Sequence, residues 1–107
     1  MNPDDTITVY HSTTEEAAKL INKNGIIGPK VEDGFSFFTT NSKGYGGIGA
    51  GKNTVLEFHI KPNKLEFDDV FRGELHLKAH NDVIGGLLPT KKLETKAQLE
   101  AIWKKAQ

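Results

Sequence analysis

Two short segments alternate between apolar and polar residues over most of their length, and this alternation constrains the fold more than any other feature of the chain. They are residues 54–60 (Thr-Val-Leu-Glu-Phe-His-Ile) and residues 74–80 (Glu-Leu-His-Leu-Lys-Ala-His). Because successive side chains of a β-strand point to opposite faces, each segment has one apolar and one polar face. Such strands are typical of an antiparallel sheet that covers a core on one side only.

The N-terminal half predicts a strand, a helix and a second strand. Residues 6–11 alternate in the same way and form the first predicted strand. Thr13 or Thr14 can cap the helix that follows, and Gly25 is a typical residue to end it. A strand rich in Phe and Thr is predicted over residues 34–40.

The C-terminal half is less regular. Residues 64–71 fit either a short helix or a loop, and the apolar pairs within residues 83–88 predict a further strand or two short strands. An amphipathic helix is predicted over residues 91–105, with a packed face drawn from Leu93, Ala97, Leu99 or Ala101, and Trp103. These elements predict one α+β domain over residues 1–107.

Composition excludes several classes of site. The chain has 107 residues, of which 14 are basic and 14 acidic, so its formal net charge gives no electrostatic case for a nucleic-acid or membrane partner. The absence of cysteine excludes disulfide bonds, Cys-ligated metal sites and a thiol nucleophile. No apolar run approaches the roughly 20 residues that span a bilayer.

A glycine-rich segment partly matches a phosphate-binding P-loop. Residues 44–51 hold five of the eleven glycines, and Gly46 and Gly51-Lys52 have the P-loop spacing. However, Asn53 stands where a Ser or Thr would hold magnesium, and a strand pattern follows in place of a helix. We therefore expect a flexible loop that can fold over a ligand, and not a nucleotide triphosphatase site.

The polar face of residues 74–80 has two interpretations, one structural and one functional. Glu74, His76, Lys78 and His80 share this face, which is the ordinary pattern of a solvated sheet. With His59 on another strand, the same residues could also cleave RNA by general acid–base chemistry without a metal. A zinc site is disfavoured because His76 and His80 would lie roughly 13 Å apart.

An ordered set of motifs over about residues 7–77 resembles the ADP-ribosyltransferase fold of the His-Tyr-Glu type, which includes poly(ADP-ribose) polymerases and bacterial toxins. The motifs are Tyr10-His11-Ser12-Thr13, the helix end from Ile21 to Gly25 with Ile26, Gly34-Phe35-Ser36-Phe37-Phe38-Thr39, Ser42-Lys43-Gly44-Tyr45, Val55-Leu56-Glu57-Phe58 and Gly73-Glu74-Leu75. Three features depart from the family pattern: Ser12 replaces a glycine, Phe37 replaces a tyrosine, and the Ser-Lys-Ser helix is shortened and glycine-rich.

The resemblance implies a split antiparallel sheet with a helix after the first strand and a C-terminal helix. It also implies that NAD is the substrate and that no metal is needed. Glu74 and His11 would be the catalytic pair: Glu74 would stabilise the oxocarbenium-like transition state, as glycosidase carboxylates do, and His11 would contact the adenine-side ribose. The cofactor-binding residues would be His11, Ser12, Thr13, Phe37, Phe38, Ser42 and Tyr45, with the aromatic ones stacking on the nicotinamide ring.

For function, the resemblance implies a toxin domain that is either an NAD-dependent mono-ADP-ribosyltransferase or an NAD glycohydrolase. Such domains are delivered as part of a larger secreted or cell-surface protein in bacterial competition, act in the target-cell cytoplasm on a protein or RNA acceptor, and pair with an immunity protein. Two alternatives stay open. One is a metal-independent ribonuclease (a tRNase toxin) that uses His59, His76, Lys78, His80 and Glu74; the other is a non-catalytic interaction domain.

Overall fold

The structure is a computed structural model that describes residues 1–29, 31–44, 54–71, 73–90 and 96–106. Within these ranges, five strands form one antiparallel sheet and three α-helices accompany it. A short 3₁₀ helix, Pro62–Lys64, follows the third strand. In chain order the elements are β1 (Ile7–Thr13), α1 (Glu15–Asn24), β2 (Phe35–Thr39), β3 (Thr54–Ile60), β4 (Glu66–Phe71), β5 (Glu74–His80), α2 (Asn81–Ile84) and α3 (Lys96–Lys105).

The strand order across the sheet is β3-β1-β2-β5-β4. β1 pairs with β3 along its whole length, from Ile7 opposite Ile60 to Thr13 opposite Thr54, and β2 pairs along its whole length with β5. In contrast, β1 and β2 share one registered pair, Tyr10 with Thr39. We call this junction the β1–β2 seam. The predicted antiparallel α+β domain is confirmed, but its strands form one continuous sheet that is weakest at the seam.

One face of the sheet, which we call the core face, carries the hydrophobic core. Val9, Phe38 and Phe58 are fully buried there, and the rings of Phe38 and Phe58 meet edge to face with centroids 5.7 Å apart. Helix α1 adds Ala18 and Ile21 to the same core cluster. The opposite face, which we call the polar face, carries the alternate residues of every strand, as the sequence pattern predicts.

Helix α1 begins and ends as the sequence predicts. The hydroxyl of Thr14 accepts a hydrogen bond from the backbone N–H of Ala17 at 3.2 Å, and Glu15 and Glu16 occupy the first turn. Gly25 ends the helix in a left-handed conformation with φ 81°, and its N–H reaches the carbonyl of Ile21. Since Thr13 still belongs to β1, the change from strand to helix takes place at Thr14 alone.

We expect Gly25→Ala to destabilise the fold far more than Gly86→Ala. Both glycines have positive φ, 81° and 84°, but a Cβ at Gly25 would overlap the backbone of Gly86, whereas a Cβ at Gly86 meets nothing within 4 Å. Positive φ costs an alanine about 1–2 kcal/mol. Gly86→Ala therefore measures the cost of positive φ without a steric overlap. Urea unfolding should show Gly25→Ala losing at least about 2 kcal/mol more. Equal losses would mean that the Gly25–Gly86 contact is unimportant.

Three C-terminal predictions need correction. Residues 66–71 form strand β4, which pairs with β5 and contains a register shift between Phe67 and Asp69. The apolar pairs in residues 83–88 do not form strands, because Ile84 closes the short helix α2 and the chain then turns through irregular backbone. The predicted C-terminal helix is present as α3, but Trp103 is 63% exposed and does not pack on the core.

The buried side chain of Asn81 ties three segments of the chain together. Its Oδ1 accepts from the Ser36 hydroxyl at 2.5 Å, and its Nδ2 donates to the Pro29 carbonyl at 2.8 Å. Its backbone N–H donates to the carbonyl of Gly34 at 2.9 Å. These bonds fix the link between α1 and β2 against the end of β5, and so set the position of β2 beside β5.

Candidate functional site

The carboxylate of Glu74 lies at the start of β5 on the polar face and is held by two side chains. Its Oε2 is 2.5 Å from Nε2 of His76, and its Oε1 accepts a hydrogen bond from Nδ2 of Asn41 at 2.8 Å. The side chains of Glu74 and His76 are only 10% and 7% exposed. Charged groups this deeply buried need such partners, and the carboxylate is therefore fixed in one orientation.

An open groove lies directly beside this carboxylate. It has a volume of about 280 Å³ and is lined by Thr40, Asn41, Gly73 and Glu74. Thr40 exchanges two bonds with the backbone of Leu75, donating its N–H to the carbonyl and accepting the N–H at its hydroxyl, each at 3.1 Å. Glu74 is thus both anchored and next to a space that a ligand can enter.

The turn after β2 connects Glu74 with Ser12. Asn41 begins this turn, with its Oδ1 accepting from the N–H of Lys43 at 2.9 Å while its Nδ2 reaches Glu74. Gly44 ends the turn so close to Ser12 that a Cβ would lie 2.6 Å from the Ser12 hydroxyl oxygen. One turn therefore touches both residues, and Ser12 and Glu74 lie on the same side of the sheet.

A row of polar residues crosses the sheet at this level. Tyr10 lies opposite Glu57 on one side and Thr39 on the other, and His76 lies between Thr39 and Asp69. The middle of the row is well buried, since Thr39 is fully buried and His76 is 6% exposed. This part of the polar face is therefore covered, in contrast to an ordinary solvated sheet.

The two phenylalanines predicted to stack on a ligand have different surroundings. Phe38 is fully buried and packs on Phe58 in the core, so it has no surface for a ligand. Phe37 lies on the polar face opposite Lys78 and is 44% exposed. Only Phe37 is placed to offer its ring to a molecule at the polar face.

His11 lies on the opposite side of the sheet from Glu74. Its ring packs against Phe38 with centroids 5.6 Å apart, and its Nδ1 is 2.8 Å from the carbonyl oxygen of Phe37. A carbonyl can only accept, so Nδ1 carries a proton and donates it. The side chain of His11 thus bridges the β1–β2 seam, and the structure does not bring it together with Glu74. The physical reason is the alternation of β1, which sends Ser12 and His11 to opposite faces.

The other predicted ligand contacts are dispersed. Thr13 is buried at the end of β1, where it pairs with Thr54, and Ser42 is exposed in the turn that begins at Asn41. The predictions for Tyr45 and for most of the glycine-rich segment lie outside the described residues.

The structure separates the residues predicted for RNA cleavage. His80 caps α2 by accepting the N–H of Asp82 at its Nδ1, and its Nε2 reaches the carbonyl of Glu32. Lys78 lies over the ring of Phe35, 4.7 Å from the centroid. His59 is on β3, where its Nε2 is 3.8 Å from the Glu57 carboxylate. Of this set, only His76 contacts Glu74.

Comparison of the chain with protein-family models, with curated proteins and with solved structures found no match. In the part of the chain that the structure describes, no three His, Asp or Glu side chains are grouped as metal ligands. The described ranges also contain no helix that is long and apolar enough to cross a bilayer.

Asn41 is the site residue that the sequence prediction missed. Its sequence signal is modest: an Asn at the end of a strand, followed by Ser-Lys-Gly, favours a turn in which the side chain accepts a backbone N–H. That bond is present, but the contact that matters for the site is with Glu74, 33 positions away. No local pattern reports a contact between residues so distant in sequence.

Proposed function

We propose that the protein cleaves the nicotinamide–ribose bond of NAD and passes ADP-ribose to an acceptor or to water, with Glu74 as the catalytic residue. The observation that carries the proposal is the buried carboxylate of Glu74, fixed by Asn41 and His76 beside an open groove. The resemblance of the motif order to His-Tyr-Glu ADP-ribosyltransferases supports the same assignment.

In this mechanism the carboxylate of Glu74 accepts a hydrogen bond from the 2′-hydroxyl of the nicotinamide ribose. As the bond from C1′ to the ring nitrogen breaks, nicotinamide leaves with the bonding electron pair and becomes neutral. Positive charge then develops on the ribose, and the nearby carboxylate stabilises it. Water or an acceptor side chain adds to C1′ and releases one proton.

His76 and Asn41 support this role by keeping the carboxylate still. A group that is already oriented does not need to reorganise as charge develops, which is why fixed charges are effective in active sites. Both oxygens of Glu74 are engaged within the protein, Oε1 by Asn41 and Oε2 by His76. His76 is therefore a positioning residue and does not itself contact the ribose.

The polar face also offers surfaces for the nicotinamide. Ser12 and Phe37 both lie two residues beyond the Tyr10–Thr39 pair, on the same side of the sheet as Glu74. The half-exposed ring of Phe37 suits stacking on a planar, positively charged ring. His11 lies on the opposite face of the sheet from these residues, and we assign it to holding β1 against β2.

The proposal includes a biological setting that rests on the resemblance. The domain would be the toxin part of a larger secreted or cell-surface protein, would act in the target-cell cytoplasm on a protein or RNA acceptor, and would be neutralised by an immunity protein.

The first test is incubation of the purified protein with NAD labelled in the nicotinamide ring and, separately, with total tRNA. We expect release of labelled nicotinamide and intact RNA. Addition of a cell lysate and NAD labelled in the adenylate moiety then shows whether label is transferred to macromolecules or only released as free ADP-ribose. Shortened RNA without NAD, together with intact NAD, would overturn the proposal in favour of a ribonuclease.

A further inference from the structure

A second groove lies near the far end of β3, between the 3₁₀ helix Pro62–Lys64 and the segment that follows α2. Its volume is about 420 Å³, and it shares no lining residue with the groove at Glu74. This volume falls within the range of about 300–1,000 Å³ that is usual for small-molecule sites. The groove is therefore a separate candidate binding site with no role in the proposed NAD cleavage.

One side of the groove is cationic. Lys61 and Lys64 both line it, and the hydrogen bond from the N–H of Lys64 to the carbonyl of Lys61, at 2.9 Å, holds them on a single turn. His59 lines the groove beside them. Among the residues that the structure describes, no carboxylate oxygen comes within 4 Å of either lysine ammonium group.

Asp4, two residues before the groove residue Thr6, makes its hydrogen bonds with Thr6 and not with the lysines. Oδ1 of Asp4 accepts from the hydroxyl of Thr6 at 2.5 Å and from its backbone N–H at 3.3 Å. The Thr6 hydroxyl is the main cause that holds the pKa of Asp4 below its ordinary value, and His59 adds a smaller effect. Asp4 is thus held by Thr6, and it forms no ion pair with Lys61 or Lys64.

The other side of the groove is lined by apolar side chains and by the exposed backbone of a glycine. Ile60 and Ile84 are buried in its floor. Its wall is formed by Leu87 and by Val83, which is 52% exposed. Gly86 also lines the groove, and no atom lies within 4 Å of the position that its Cβ would take. A ligand can therefore approach the backbone closely at this point.

We propose that this groove binds an organic phosphate, that is, a phosphate group attached to an apolar or aromatic body. The phosphate would lie at Lys61 and Lys64, because ammonium groups bind phosphate as point charges. The body would cover Val83 and Leu87, which gain from removal of apolar surface from water. Inorganic phosphate would leave the wall uncovered, and an uncharged body would leave the lysines without a partner.

The test is a titration of the whole chain with 1-naphthyl phosphate, followed by the backbone amide signals of Gly85 and Gly86. The comparison ligands are inorganic phosphate and 1-naphthol. We expect the naphthyl phosphate to bind at least about tenfold more tightly than either and to shift both glycine signals. Its affinity should fall as sodium chloride is added, because salt screens exposed charges.

Two variants locate the site. Lys61→Glu combined with Lys64→Glu should weaken binding at least about tenfold, whereas Lys104→Glu with Lys105→Glu, which makes the same change in net charge on α3, should leave it unchanged. Val83→Ser, which leaves the charge unchanged, should weaken binding by removing apolar surface from the wall, with thermal unfolding showing that each variant is folded.

Several results would overturn the inference. They are equal weakening by both lysine pairs, equal affinity for inorganic phosphate and naphthyl phosphate, and shifts at Thr40, Asn41 and Gly73 without shifts at Gly85 and Gly86. Because the titration contains no NAD and is read at a different groove, loss of the proposed NAD cleavage would not affect its outcome.

Discussion

Replacing Glu74 by glutamine is expected to lower the rate of NAD cleavage about 1,000-fold, because the neutral amide cannot stabilise positive charge on the ribose. Glutamine has nearly the same shape and can still accept a bond from Asn41 at its carbonyl oxygen, so the fold should be kept. The measurement is nicotinamide release under saturating NAD, with the thermal midpoint of each protein recorded beside it. The loss should appear in kcat, since the charge develops only in the transition state.

The chain contains a matched control for this variant. Glu57 also lies on the polar face and is also followed two residues later by a histidine, but the Glu57–His59 pair is 3.8 Å apart and more exposed. Glu57→Gln should therefore change the rate less than about twofold, since exposed pairs contribute little. Similar losses in the two variants, or a Glu74→Gln protein that keeps more than a tenth of the activity, would remove Glu74 from the mechanism.

Replacing Asn81 by alanine is expected to cost about 3 kcal/mol in the free energy of unfolding. Asn81 is 1% exposed, and its loss leaves the Ser36 hydroxyl and the Pro29 carbonyl without their partner. Each such buried group costs about 1–3 kcal/mol when left unsatisfied. For a domain of this size the thermal midpoint should fall by roughly 10–20 °C, measured by calorimetry or circular dichroism.

A double-mutant cycle separates this hydrogen bond from general packing. Ser36→Ala removes the other partner, so the double variant should be less destabilised than the sum of the two single variants. Strict additivity would show that the bond from Ser36 to Asn81 contributes nothing. Asn63→Ala, in the exposed 3₁₀ helix after β3, is the control for an asparagine with no buried contacts and should change stability by less than about 0.5 kcal/mol.

The sequence predicts β1, β3 and β5 from their alternation of apolar and polar residues and β2 from its Phe and Thr content. Helix α1 has both a cap and a glycine stop, so local chemistry is enough to define these elements. β4 was missed because Asp68-Asp69 interrupts its alternation at the register shift. The apolar pairs after β5 suggested strands because burial alone does not distinguish a strand from one turn of helix.

The candidate site could be predicted only in part. Period-two alternation correctly puts Glu74 and His76 on one face, but it does not predict that both side chains are buried or that Glu74 contacts Asn41. The same alternation along β1 puts His11 on the core face, opposite to Ser12. A motif of consecutive residues such as Tyr10-His11-Ser12-Thr13 does not show that its members face opposite sides of the sheet. Phe37 and Phe38 show the same effect, because neighbouring residues of one strand have opposite surroundings.

The β1–β2 seam has a mechanical consequence. Across it, the sheet consists of two halves, β3 with β1 and β2 with β5 and β4, whose backbone pairing is limited to one registered pair. Side chains add the hydrogen bond of His11 and the packing of Phe38 on Phe58. A small rotation about the seam would break few backbone bonds, yet it would change the separation of Ser12 on one half from Glu74 on the other. The separation of Ser12 and Glu74, on either side of the proposed NAD site, therefore depends on the β1–β2 seam, where the sheet has the least backbone pairing. Amide hydrogens along the seam should exchange first.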